Sequence, residues 1–243
     1  MNFTLGGRSQ IAYPGTRPGH FAAWRRHRCA QSWLRLAGLH KNGPERTGGA
    51  QRAKMQTMEP VNLTHHFLIA MPSMADPNFS GTLTYVCDHG TQGALGLVVN
   101  RPIELELSSL FEQIGLELSN ETLRHQAVYY GGPVQTERGF VLHRPTHNYQ
   151  STLTVNNSVS LTTSKDVLEA VAHGEGPGQF LVSLGYAGWG PGQLEQEMAQ
   201  NAWLSVAAEP GVIFDHTPEE RLPAAMKLLG IDFTHLSDLA GHA

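Results

Sequence analysis

The sequence predicts an α+β fold with a mostly antiparallel, barrel-like β-sheet flanked by a few α-helices. Short runs rich in β-branched and aromatic residues follow one another as neighbouring hairpins, not as the strand and helix alternation of a doubly wound sheet. Helical periodicity is confined to a few separated stretches. A hydrophobic content of 40% over 243 residues is enough for a real core without disulfide staples.

Charge divides the chain into two unlike parts. Residues 1–57 carry ten Lys and Arg against one acid, Glu45, a balance of +9. Residues 58–243 carry seven bases against 20 acids, a balance of -13. The first part, with its cluster Trp24 to Arg28 and scattered Gly and Pro, reads as a basic, disordered extension or as upstream sequence from an over-long start. Arg25, Arg26, Arg28 and Arg35 interrupt any signal-peptide core. The domain is expected at 58–243, beginning near Met58. Two cysteines, Cys29 and Cys87, suit a reducing, cytoplasmic location. No apolar run reaches the roughly 18 residues that would span a bilayer, so no membrane association is expected.

Within the domain, Leu63–Met71 reads as a buried strand stopped by Pro72, which has no N–H for a ladder. Asp76 and Pro77 turn the chain and Phe79 packs down. Leu83–Cys87 and Ala94–Val99 read as a hairpin separated by Asp88 to Gly93, with Pro102 ending it. Leu110, Phe111, Ile114 and Leu118 have helical spacing behind Ser108 as cap. Gln126–Tyr130, Gly139–His143, one or two strands within Tyr149–Leu161, and Phe180–Tyr186 complete the central sheet. A helix starting near Ser164 separates the last two of these. Pro191 and Gly192 then precede a helix carrying Leu194 and Met198, with Glu195 and Glu197 in its first turns where the dipole favours acids. Trp203–Ala207 and Val212–Asp215 read as strands. Thr217, Pro218, Glu219 and Glu220 open a final helix over 218–229. The tail is expected to dock through Ile231, Phe233 and Leu236.

Read in series, YVCDHG, GALGLVVNRP, YYGGPV, GFVLH, GYAGWGPGQLEQEM with NAWL, and the terminal AGHA resemble the AlgH/YqgE family of bacterial proteins, over about Asn62 to Ala243. The resemblance implies a single cytosolic α+β domain without an established biochemical activity or cofactor. It also implies a name linked to regulation of alginate production, with a transcriptional-regulator label. The charge of the body weighs against that label. A domain at -13 repels phosphates, and none of its helices carries an Arg or Lys cluster, so direct DNA binding by residues 58–243 is not expected.

Three local groups invite chemistry. Cys87 and His89, at the end of a strand and two residues apart, can meet on one side while Asp88 points away. That would make a thiol nucleophile with an imidazole assistant, or a redox sensor; the competing reading is a small apolar residue filling the hairpin edge. Asn100 and Arg101 end the second strand, where Arg101 can clamp an anion or pair with an acid. Gly185, Tyr186, Gly188, Trp189, Gln193 and Glu195 lie in or beside a glycine-rich stretch leading into a helix. This stretch serves either tight packing under Trp189 or a ligand or partner surface. It has neither dinucleotide-fingerprint nor phosphate-loop spacing, and no metal motif accompanies the histidines. The leading expectation is a binding or regulatory module with a protein or small-molecule partner; a thiol-dependent enzyme and a transcriptional regulator are the alternatives.

Overall fold

The computed structural model describes residues 3–4 and 62–230. Apart from Phe3 and Thr4, the basic extension lies outside the described residues, as does the tail with Ile231, Phe233 and Leu236. In chain order the strands are β1 (His66–Ala70), β2 (Leu83–Gly90), β3 (Gly93–Val98), β4 (Pro102–Glu106), β5 (Ala127–Tyr130), β6 (Val134–Arg144), β7 (Thr152–Thr154), β8 (Ser160–Thr162), β9 (Gln179–Trp189) and β10 (Trp203–Ala207). The helices are α1 (Leu107–Gln113), α2 (Asp166–Ala172), α3 (Gln193–Ala199), α4 (Pro210–Phe214) and α5 (Pro218–Leu228), with a short 3₁₀ turn at Glu121–Leu123. One curled, mostly antiparallel sheet runs β10-β1-β2-β3-β9-β6-β8-β7 as a half-barrel, joined by β5 through its parallel pairing with β9 and by β4 through β5.

The sheet buries both faces. One face, with Phe67, Tyr85, Leu97, Phe140 and Leu142, is covered by Val212 and Ile213 of α4 and Ala225 and Met226 of α5. The other face carries two apolar clusters, one sealed by α1 and α2 through Leu110, Phe111, Val167 and Leu168, the other by Leu194 of α3. Each fully buried Leu or Phe contributes about 1.5–3 kcal/mol, so helices this short are held by packing rather than propensity.

Three sequence expectations are corrected. Pro102 does not end the sheet; it is the first residue of β4, a place where the missing N–H costs nothing. Val212–Asp215 is not a strand. Pro210 at the first helical position starts α4, whose buried Val212 and Ile213 outweigh their β-branched preference for extended backbone. Ser108 lies inside α1, and the position before that helix is Glu106, which makes no side-chain cap. The expected cap of the last helix is present: Thr217 N–H donates to Glu220 at 3.1 Å in a capping box.

The β5-to-β6 connection is the tightest point. Ser183 and Leu184 of β9 pair with Tyr129 and Tyr130 on one edge and with Phe140 and Gly139 on the other. The link through Gly131, Gly132 and Pro133 therefore passes across β9. Gly132 takes φ 149, Gly185 takes φ 74, and a Cβ on any of Gly131, Gly132 or Gly185 would run into backbone atoms of the crossing strand. Gly132→Ala is expected to cost about 1–3 kcal/mol or more, read as a lower urea midpoint at unchanged slope.

A second test concerns His143, fully buried on β6. Its Nδ1–H donates to the Pro145 carbonyl at 3.3 Å, and its Nε2 faces the Thr162 hydroxyl at 2.9 Å. Burial holds its pKa below the ordinary value, with the Pro145 carbonyl opposing and His147 adding to the depression. As pH falls through about 6.5 the unfolded chain takes up a proton that the folded state refuses, so stability is present above that pH and lost below it. Between pH 7.5 and 5.5 the wild-type urea midpoint should fall more steeply than that of His143→Gln. The other titratable groups are the same in both proteins, among them His65, whose pKa burial and then His66 depress.

Candidate functional site

A β-bulge decides how Cys87 and His89 lie. Val86 of β2 pairs with Gly96 of β3 and Asp88 pairs with Leu95, leaving Cys87 as an extra residue that resets the alternation of faces. Cys87 belongs to the cluster under α4 and α5, and its thiol donates weakly to the Tyr85 carbonyl at 3.8 Å. His89, opposite Ala94, turns to the other face toward α3. The two side chains do not meet, contrary to the arrangement that two-residue spacing on a regular strand implies. Burial, reinforced by the Asp88 charge, pushes the Cys87 thiol well above its ordinary pKa, away from the thiolate that a nucleophile needs.

Both nitrogens of His89 are occupied. Leu63 N–H donates to Nδ1 at 3.0 Å, which fixes the tautomer, and Nε2–H then donates to Glu195 at 3.1 Å. The ring is 6% exposed. No lone pair is left for a substrate proton, so in this arrangement His89 ties the segment before β1 to α3 instead of acting as a base.

The second group forms a connected frame. Arg101 donates to the carbonyls of Pro77 (3.1 Å), Asn78 (3.0 Å) and Ser80 (2.9 Å), and its guanidinium lies 5.7 Å from the Tyr130 ring centroid. Asn100 accepts from Leu83 N–H at 2.8 Å and donates to the Gly81 carbonyl at 3.1 Å. Tyr130 donates its hydroxyl hydrogen to the Asn78 side chain at 2.8 Å. Arg101 thus spends its fork on the carbonyls of a loop and not on an acid, and burial lowers its pKa. The loop so held carries Phe79, which stacks on Trp189 (centroids 6.2 Å apart) and meets Trp203 edge-on (5.4 Å).

Glu197 joins the aromatic pair. One of its carboxylate oxygens accepts from both indole N–H groups, Trp189 and Trp203, each at 2.8 Å, while the other accepts from the Gln193 amide at 2.9 Å. Gln193 in turn accepts from Gly190 N–H at 3.0 Å. Arg101, Phe79, Trp189, Gln193 and Glu197 are therefore one continuous assembly, with His89 and Glu195 attached through α3. The glycine-rich stretch is mostly strand: β9 runs to Trp189. Gly185 belongs to the crossing, and Tyr186 faces Phe140 on the other side of the sheet (5.4 Å) with Gly188 beneath its ring. Gly185, Tyr186 and Gly188 do not share a surface with Trp189.

Sequence reading named Glu197 only as a favourable first-turn acid. Its spacing of four from Gln193 and eight from Trp189 was the available signal; the strand curvature that brings Trp203 to the same oxygen has none. Phe79, Met74 and Met198 are half-buried apolar side chains around this assembly, beside exposed Glu195 and Gln196. Among the described residues no group of three or more His, Cys, Asp or Glu is arranged to hold a metal ion. Nor is any helix there long and apolar enough to cross a membrane.

Removing the shared acceptor tests the frame. Glu197→Ala leaves two indole donors without their partner and should cost about 2–4 kcal/mol. The check is a urea titration followed by tryptophan emission, whose folded-state maximum should also shift.

Comparison with known proteins supplies kinship. The AlgH-like family model matches residues 67–234. A UPF0301 protein of Thiobacillus denitrificans is 75% identical over 186 residues, which is 76% of this chain and 100% of that relative. A UPF0301 protein of Nitrosospira multiformis is 58% identical over 186 residues, with the same coverage of 76% and 100%. Among solved structures, the AlgH protein from Pseudomonas aeruginosa, determined in solution, is similar at 52% identity and a TM-score of 0.64, covering 78% of this chain and 100% of that one.

Proposed function

The chain belongs to the AlgH-like family, and from that premise we propose that it is a binding or regulatory module, working through contacts with a protein or small molecule and not through thiol chemistry. One observation carries the reading. The only described cysteine is buried with a raised pKa, and the histidine two residues on lies on the opposite face with both nitrogens engaged. The contact surface we favour is the rim where Met74, Phe79 and Met198 stand half-exposed around the rigid frame of Arg101 and Glu197. Polarizable methionines and aromatics on a preorganised base suit recognition.

The charges of residues 58–243 argue against nucleic acid as the direct partner of that domain. Six of the seven Lys and Arg in residues 62–230 already have partners inside the molecule. Arg101, Arg138 and Arg221 face carbonyls, amides, hydroxyls or rings, while Arg124, Arg144 and Lys165 face acids. Few cations remain to displace phosphate counterions. A regulatory role of this domain would then act through another protein or a small effector.

Native protein should react with iodoacetamide at Cys87 at least about two orders of magnitude more slowly than free cysteine at pH 7.5, because attack waits on an opening that costs a few kcal/mol. In a strain lacking the gene, Cys87→Ala should complement the deletion and Met198→Asp should not, with both proteins at wild-type abundance. Fast alkylation, or failure of a well-expressed Cys87→Ala, would overturn the reading.

A further inference from the structure

Phe3 sits in a slot of the domain as a peptide ligand would. Its ring is 4% exposed and joins the cluster formed by Val141, Val167, Leu168 and Val182, occupying the space where Gly139 lacks a side chain; a Cβ there would fall inside the ring. The backbone is held as well. Gly139 N–H donates to the Phe3 carbonyl at 3.3 Å, Phe3 N–H donates to the Thr163 carbonyl at 3.4 Å, and Thr4 bridges Arg138 in antiparallel sense.

The slot arises from the strand pairing. β8 pairs with β6 only over Val141–His143 and ends at Thr162. Toward its own N-terminus β6 continues past β8 with that edge open at Arg138 and Gly139, and Phe3–Thr4 takes the place β8 has vacated. This is β-strand addition, with main-chain hydrogen bonds for affinity and one side-chain pocket for specificity. The slot's walls lie within residues 67–234, which the family model matches, while the plug lies outside them. The receptor is part of the family domain and the occupant is supplied by this chain's leading segment.

We propose that the edge of β6 at Arg138–Gly139, with the carbonyl of Thr163, is a docking site for an extended peptide bearing an aromatic anchor, and that Phe3–Thr4 occupies it in cis. Specificity follows from the pocket. Gly139 forms its floor and the surrounding side chains are apolar, so Phe fits and a charged residue does not. The cis segment competes with any partner peptide at an effective concentration set by its tether. This inference is independent of the reading of Cys87 and His89, since the two involve different residues.

The test uses the full chain, wild type and Phe3→Ala, with a fluorescein-labelled peptide of residues 1–7, MNFTLGG, read by anisotropy. Phe3→Ala should bind the peptide saturably, and wild type at least about tenfold more weakly because its site is filled in cis. The same peptide with Ala in place of Phe3 should not bind Phe3→Ala protein, a control that leaves the protein unchanged. Gly139→Val introduced into Phe3→Ala should abolish binding while near-ultraviolet circular dichroism stays native. Absence of saturable binding to Phe3→Ala, equal binding by the Phe and Ala peptides, or equal affinity of wild type and Phe3→Ala would each overturn the proposal.

Discussion

The structure depends on one backbone crossing. β9 is paired on both edges at Ser183–Leu184, so the chain leaving β5 can start β6 only by passing over β9. Two polypeptide backbones approach there more closely than any side chain allows, and Gly131, Gly132 and Gly185 are the residues at the contact. Positive φ at Gly132 and Gly185 belongs to the same solution: the backbone turns without a Cβ to collide. This arrangement lets a single eleven-residue strand, β9, serve both halves of the sheet, pairing with β6 as far as Tyr186, with β5 at Ser183–Leu184 and with β3 from Ala187 to Trp189.

Much of the fold was legible in the sequence because its elements are locally determined. The β2–β3 hairpin, the strands around Tyr130, His143 and Tyr186, the helix after Gly192 and the Thr217 capping box all rest on periodicity or on cap chemistry acting within a few residues. What was not legible depends on distant chain. Val212 and Ile213 favour extended backbone by themselves and become helical because the apolar face of the sheet accepts them there. Pro102 looks like a terminator until β5 is known to lie beside it, offering Tyr129 as its partner. The crossing involves residues more than 50 positions apart, and GYAGW carries no local mark that it is strand.

The candidate site divides the same way. Arg101 and the pair Trp189 and Gln193 stood in the sequence as separate candidates, and the structure links them through Phe79 and Glu197, with Glu195 attached by way of α3. Cys87 and His89 were read on a regular two-residue alternation, and a single unpaired residue defeats that reading. The bulge inverts every side chain beyond it, so a thiol and an imidazole that sequence places together are separated by the thickness of the sheet. The sequence signal for this bulge is weak, since its extra residue, Cys87, is not a glycine. The same bulge delivers His89 to Leu63 and Glu195, which anchors the segment before β1 and α3 to one ring.

The crossing and the open edge of β6 are connected by geometry. Val134 must pair with Tyr186, and Gly139 with Leu184, so the four residues Gln135 to Arg138 on β6 oppose Gly185 alone on β9. Gln135 takes φ 50 within this wide irregularity. β6 regains regular pairing only from Gly139 onward, and β8 meets it three residues long, at Val141–His143. A stretch of strand edge left without a neighbouring strand must be protected or used. An acidic domain whose cations are mostly committed internally has little long-range attraction for polyanions. On β6 that edge meets Phe3 by two main-chain hydrogen bonds and a glycine-floored pocket, on the strand whose start is set by the passage of Gly131–Gly132 over Gly185.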